Sequence, residues 1–406
     1  MRNLTPWILA VPSLFFMAWG GNHFTPLLPL YGEHANLIPW QTNFLLGTYV
    51  MGLVPGLLIA AALSDVYGRK PVTMAGLISS ALGNFIILLG PTSIAMLYTG
   101  RFFAGLAVGI GMSVGTSWIK ELSSRDWDPK ATIGAGARRP SLTMTLGFGV
   151  GAAVTGALAQ WVPAPTIVPF IVTISMLLLT IIPTAMAPET VGTTPRQRPP
   201  QDSWVRQLRT PSAKTPDFLI KVATAAPWVF GAGGIAYGLI PLILADATGE
   251  FTTLYATMMA VLTLGVGAFV QPFAQRIDRK LKGRALPLGL GVVVIGIALA
   301  ALTAYQANPI LGVFTAMILG VGYGTVLVTG LYRVQVIAPA QDLAGLTGLF
   351  YALTYLGFLF PTFIAALLPV MPYHVTLLIF SGLALVSMII AFGRIRYVRG
   401  PWGKRA

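Results

Sequence analysis

The chain has 406 residues, 55% of them hydrophobic and only 9% charged, with a mean hydropathy of +0.76 and a formal charge of +14. So much apolar surface cannot be hidden in one aqueous core, which excludes a water-soluble globular domain. Cysteine is absent, which excludes disulfides, thiolate metal sites and cysteine nucleophiles.

A hydrocarbon layer of about 30 Å needs roughly 20 apolar residues per spanning helix. Runs of that length recur and predict spans at 7–31, 41–64, 72–90, 94–119, 139–161, 166–187, 218–244, 253–274, 287–305, 309–332, 343–368 and 374–394. Barrel strands would be short and alternating, whereas these runs are long and apolar on all faces, and in lipid only a helix then satisfies its own backbone. The expected fold class is all-α integral membrane, with 12 transmembrane helices. The first run follows a single Arg2 and is too long for the apolar region of a secretory signal, so it is taken as the first helix of the mature protein.

Outside the spans the cations gather in alternate loops: Arg69 and Lys70, Lys120 to Arg139, Arg196 to Lys221, Arg276 to Arg284, Arg333, and Arg394 to Arg405. Every Lys and Arg except Arg101 lies on that one side. The positive-inside rule therefore accounts for the charge, with both termini cytoplasmic, and a nucleic-acid partner is not required. Short loops throughout suggest a bacterial inner (plasma) membrane.

The stretch 189–217 is rich in Pro, Arg, Gln and Ser and reads as a cytoplasmic linker. It divides the chain into a six-helix bundle at 1–188 and another at 218–394, followed by a basic cytoplasmic tail at 395–406. Several anchors recur at an offset of about 210 to 212. Leu28-Pro29-Leu30 matches Ile240-Pro241-Leu242, Arg69-Lys70 matches Arg279-Lys280, and Gly109-Ile110-Gly111 matches Gly320-Val321-Gly322. Leu146-Gly147-Phe148 likewise matches Leu356-Gly357-Phe358. A duplicated pair of bundles explains the common offset.

The most specific segment, Ala61 to Lys70, carries Leu63, Asp65, Gly68, Arg69 and Lys70 between the second and third spans. A short turn at a membrane face needs a glycine for its backbone, cations toward the cytoplasm and one carboxylate to meet cations or a helix amino terminus. This spacing resembles the signature loop of the major facilitator superfamily, with Ala61 in place of the first glycine. Arg101 with Gly105 in the fourth span, and Pro188-Glu189-Thr190 after the sixth, are similar to further motifs of that family. Gly147, Gly151 and Gly156 resemble the antiporter motif of its 12-helix drug and metabolite exporters, although Ala152 stands where that motif has proline; close packing through small residues explains these glycines equally well. The resemblance implies two pseudo-symmetric six-helix bundles, alternating access to a central path lined by spans 1, 4, 7 and 10, and a third span toward lipid.

Ionisable groups inside a membrane are costly and therefore functional candidates. Mid-span acids are lacking, and His23 and Arg101 are the internal ionisable groups. Span one runs outward and span four inward, so at 1.5 Å per residue both lie roughly 6–8 Å to the outer side of the midplane. Their shared depth makes substrate-coupled protonation of His23 an expectation, with hydrogen bonding beside Asn22 in a wet cavity as the plainer alternative. Arg101 is read either as a substrate contact or as a brace for its span. Asn84 is assigned to packing. Tyr49, Trp228, Tyr237, Tyr323, Tyr351 and Tyr355 lie on candidate path helices, where an apolar ring with a polar tip suits a mixed solute. Glu33 and Asp246 close the outer ends of two related helices and read as solvated rim acids or an outer gate.

Neither a phosphate loop nor a His-Glu-x-x-His helix is present, so an enzyme or an ATP-driven pump is not expected, and no cofactor or metal is called for. The functional expectation is a monomeric secondary transporter with a small-molecule substrate, a lipid environment and protons as coupling ion, exporting a drug or metabolite. Uptake or facilitated diffusion of a neutral or anionic nutrient, such as a sugar or carboxylate, is the alternative within transport. A transport-inactive receptor or scaffold is the alternative from another class.

Overall fold

The structure is a computed structural model and describes residues 5–132, 134–191, 210–281, 284–339 and 342–392. Every regular element among these is helical. Eleven helices are long and apolar enough to cross a membrane, as lipid demands of a chain with no other means of pairing its backbone.

The segment expected as one span at 7–31 is instead built in pieces, α1 (Pro6–Asn22), a 3₁₀ turn (Thr25–Leu27) and α2 (Leu28–His34). Its proline residues supply the reason. Pro26 and Pro29 have no N–H to donate, so the ladder that reaches His23 N–H···O Trp19 (2.9 Å) passes to a tighter Leu27 N–H···O Phe24 bond (2.9 Å). Averaged hydropathy does not register that break. The chain continues with α3 (Pro39–Tyr67), α4 (Arg69–Leu89), α5 (Ile94–Ile110), α6 (Thr116–Leu122), α7 (Ala135–Trp161) and α8 (Val168–Met186), of which α3, α4, α6 and α7 run into polar flanking residues. A wide-pitch turn at Gly111–Gly115 joins α5 to α6 without interrupting the rod.

Two compact units emerge. The first comprises Met1–Arg209 with Thr253–Met258, the second Thr210–Thr252 with Met259–Ala406. Within the first, α3 and α4 pack on α5, α1 packs on α7 and α8, and α4 packs on α8. Lipid is as apolar as leucine, so helices associate there through close fit and not through hydrophobic exclusion. Gly105 makes that fit between α3 and α5: a Cβ on it would stand 1.8 Å from the Tyr49 carbonyl oxygen.

The second unit opens with a rod, Asp217–Ile243, made of α9 (Pro227–Gly233) and α10 (Ile240–Ile243) with wide-pitch turns at Asp217–Val222 and Gly234–Leu239. After it come α11 (Ala245–Thr248), α12 (Thr252–Lys280), α13 (Ala285–Gln306), α14 (Pro309–Ile337), α15 (Leu343–Leu356), α16 (Phe360–Ala366) and α17 (Tyr373–Phe392). Here α13 packs on α14 and α17, while α9 packs on α14 and α15. The buried Asp278 accepts from Ala285 N–H at 3.1 Å and so caps the start of α13. Of the linker expected at 189–217, residues 192–209 lie outside the described residues, as does the basic tail at 395–406.

Gly105→Leu is expected to force α3 from α5 and abolish the folded monodisperse species in detergent, read by fluorescence-detected size exclusion. Gly149→Leu, where a Cβ meets nothing within 4 Å, is expected to leave the elution profile unchanged.

Candidate functional site

His23 closes α1 and is 1% exposed, its imidazole edge-on to Phe170 at 5.2 Å between ring centroids. Arg101, one turn before Gly105 on α5, is also 1% exposed. Its guanidinium lies between two aromatic rings, 4.7 Å from the centroid of Phe24 and 4.6 Å from that of Tyr49, and its Nε donates to the Leu45 carbonyl at 3.4 Å. A buried charge is normally matched by a countercharge. No carboxylate among the described residues pairs with Arg101, so the negative faces of two rings and a carbonyl dipole hold it instead.

The guanidinium charge acts on the imidazole, and so does the side chain of Asn84 from α4. Asn84, read from the sequence as packing, is 1% exposed and turned inward, with Nδ2 donating to the Ser80 carbonyl at 2.8 Å. His23 Nδ1, Asn84 Oδ1, Ser80 Oγ and Arg101 Nη1 are all buried without a hydrogen-bond partner. Such groups ordinarily find solvent or a ligand, so this cluster is the part of the first unit equipped for polar chemistry. Asn22 is engaged otherwise. Its Nδ2 donates to the Phe148 carbonyl at 3.3 Å and its Oδ1 accepts from Thr25 Oγ at 2.9 Å, which ties the broken end of α1 to α7.

In the second unit, Phe230 stacks on Tyr355 at 4.2 Å and on Phe358 at 5.0 Å and meets Tyr323 at 5.6 Å, while Tyr237 meets Phe358 at 6.2 Å. Tyr323, Tyr237 and Tyr355 thus share one aromatic cluster centred on Phe230, which sequence reasoning had not singled out. The half-buried Tyr351 interacts with Tyr323. Trp228 stands apart, donating its indole N–H to Ser387 Oγ at 2.9 Å and packing on Phe360 at 5.0 Å.

The turn between α3 and α4 forms a second constellation. Arg69 reaches Asp65 (2.6 Å), Ser64 (2.5 Å) and Glu121 of α6 (2.9 Å). Glu189 accepts from the backbone N–H groups of Arg69 and Lys70, both at 2.9 Å, and Lys70 Nζ donates to the Ala185 carbonyl at 3.0 Å. The carboxylate thus sits where the helix dipole of α4 favours negative charge. Gly68 has φ +102° and a Cβ there would lie 2.6 Å from Glu189 Oε2, so the turn and its cap both exclude a side chain. Leu63 is half-buried nearby. Gly147 and Gly151 seat α7 against α1 at Phe15 and Trp19, and Gly156 is buried on the same helix. Glu33 and Asp246 are exposed. Sequence reasoning missed Glu121, which lies 52 residues from its partner Arg69 with no local signal; for Asn84 a lone amide within an apolar run was the available signal.

Residues 10–362 match the Major Facilitator Superfamily. The chain belongs to the major facilitator superfamily. An uncharacterized transporter of Rickettsia bellii is 31% identical over 98 residues, 24% of each chain. The transporter mfc1 of Schizosaccharomyces pombe is 30% identical over 129 residues, 31% of this chain and 25% of that one. These matches therefore span about a quarter of the relatives' length. The bacillibactin exporter of Bacillus subtilis is 26% identical over 134 residues, 32% of this chain and 33% of its own. Among solved structures, the nucleoside transporter NupG shares the fold, with a TM-score of 0.74 at 13% identity over 96% of this chain and 100% of that one. As a superfamily member with transporters as relatives, the protein is a multi-pass membrane transporter and not an enzyme. Its 12-helix fold comprises the eleven long helices together with the broken first one.

Arg101→Lys replaces a flat, weakly hydrated cation with a compact one unsuited to stacking between two rings, and is expected to cost about 1–3 kcal/mol, read as a lower melting temperature in detergent. Glu189→Ala removes the acceptor of four backbone N–H groups, those of Arg69, Lys70, Thr190 and Val191, and is expected to cost about 1–2 kcal/mol by the same measurement, with Glu189→Gln restoring part of the loss.

Proposed function

We propose that the protein exports a small metabolite or drug in exchange for protons, by alternating access of its two helical units. The observation that carries this reading is His23. Among the described residues it is the imidazole buried beside the Arg101 cation, a side-chain type that exists in a neutral and a charged form, and its Nδ1 has no hydrogen-bond partner. A proton there would be strongly coupled to Arg101 and to any anionic group brought near, which is the reciprocal linkage an exchanger needs. The likeness to the bacillibactin exporter supports the outward direction. The one-sided distribution of Lys and Arg supports placing both termini in the cytoplasm, with the bacterial inner membrane as the site of action.

That no carboxylate among the described residues pairs with Arg101 favours a second reading, uptake or facilitated diffusion of a neutral or anionic nutrient. Proteoliposomes decide between them. Under an imposed pH gradient, exchange predicts solute accumulation against its own gradient, and a facilitator predicts equilibration indifferent to pH. His23→Gln preserves hydrogen bonding while removing the titrating group, and is expected to abolish pH-driven accumulation while leaving solute counterflow intact. Unchanged accumulation in that variant would overturn the role given to His23.

A further inference from the structure

The face of the second unit that collects its cations contains a cavity of about 250 Å³ lined by Thr215, Asp217, Lys221 and Val222 at the start of the Asp217–Ile243 rod and by Arg333, Val336 and Ile337 in the last turns of α14. Its volume falls below the roughly 300–1,000 Å³ of pockets for drug-sized ligands, and suits a single charged group with a short stem. The wall chemistry is divided. Thr215, Lys221 and Arg333 supply a hydroxyl, an ammonium and a guanidinium, whereas Val222, Val336 and Ile337 are aliphatic.

Two cations stand against one carboxylate. Asp217 already pairs with Lys221 one turn on, and its side chain is 54% exposed against 17% for Lys221. The acid can therefore turn to water while the ammonium stays with the cavity. Leu219 and Ile220, on the same turn, are 52% and 50% exposed, which gives the cavity an apolar neighbour at the protein surface. By the positive-inside rule this face is the cytoplasmic one, where anionic headgroups attract basic residues.

We propose that Thr215, Lys221 and Arg333 form a phosphate-binding site at the cytoplasmic end of the second unit, with Val222, Val336 and Ile337 receiving the apolar stem of the phosphate-bearing molecule. Arg and Lys are the side chains that hold phosphate through charge-assisted hydrogen bonds. The phosphate arrives on an anionic phospholipid of the inner leaflet or on a soluble phosphorylated solute. This site is independent of His23 and of the direction of transport.

The test is thermal unfolding of the purified full chain in neutral detergent, titrated separately with phosphatidylglycerol, glycerol 3-phosphate and inorganic phosphate. A ligand that binds the folded state raises the melting temperature saturably. Lys221→Gln and Arg333→Gln are each expected to weaken the midpoint about tenfold, and Asp217→Asn, which releases Lys221, to tighten it several-fold. Saturation by phosphatidylglycerol alone assigns the lipid as source, and saturation by either soluble phosphate assigns a free solute. Where Arg333→Gln fails to fold, Lys221→Gln and the gain in Asp217→Asn carry the test. Identical midpoints in wild type and variants, or no saturable shift with any of the three probes, overturns the site.

Discussion

The backbone contact of α3 and α5 at Gly105 is the constraint on which the first unit depends. Because lipid offers no hydrophobic force between helices, two rods come together only where small residues let their backbones touch. At Gly105 they do, against the Tyr49 carbonyl, and the approach is repeated where Gly52 faces the Phe102 carbonyl. The same contact sets the electrostatics. With the Tyr49 backbone pressed on Gly105, the Tyr49 ring lies 4.6 Å from the Arg101 guanidinium one turn away, and the Phe24 ring lies 4.7 Å from it. A cation that would otherwise demand a carboxylate is held by packing, with no acid among the described residues paired to it.

That arrangement places the buried imidazole of His23 beside a fixed positive charge. Its neighbours come from separate helices, Arg101 from α5, Asn84 from α4 and Phe170 from α8, so its environment is a property of the bundle and not of α1. A shift of any of these helices would alter the cost of a proton on the imidazole.

The turn at Gly68 works by a different economy of charge. Isolated surface ion pairs contribute little, but here one arginine meets Asp65, Ser64 and Glu121, while Glu189 engages the amides that open α4. Three stretches distant in sequence, the turn from α3 to α4, the end of α6 and the residues after α8, are thereby joined at the face rich in cations.

Much of the architecture was legible along the chain, because the bilayer imposes a one-dimensional test. A helix must be long and apolar, and cations must favour one side, so the number of spans, their approximate limits, the all-α class and the Asp65 to Lys70 turn could all be read in order. The break in the first span escaped because averaged hydropathy is blind to the lost N–H groups of Pro26 and Pro29. Tertiary structure alone decided what depends on approach between distant segments. Arg69 meets Glu121 across 52 positions, Asn84 turns inward to His23 although its helix was assigned to lipid, and Phe230 meets Tyr323 of α14 and Tyr355 of α15. Sequence carries the cost of each group in lipid; only packing determines which other group offsets that cost.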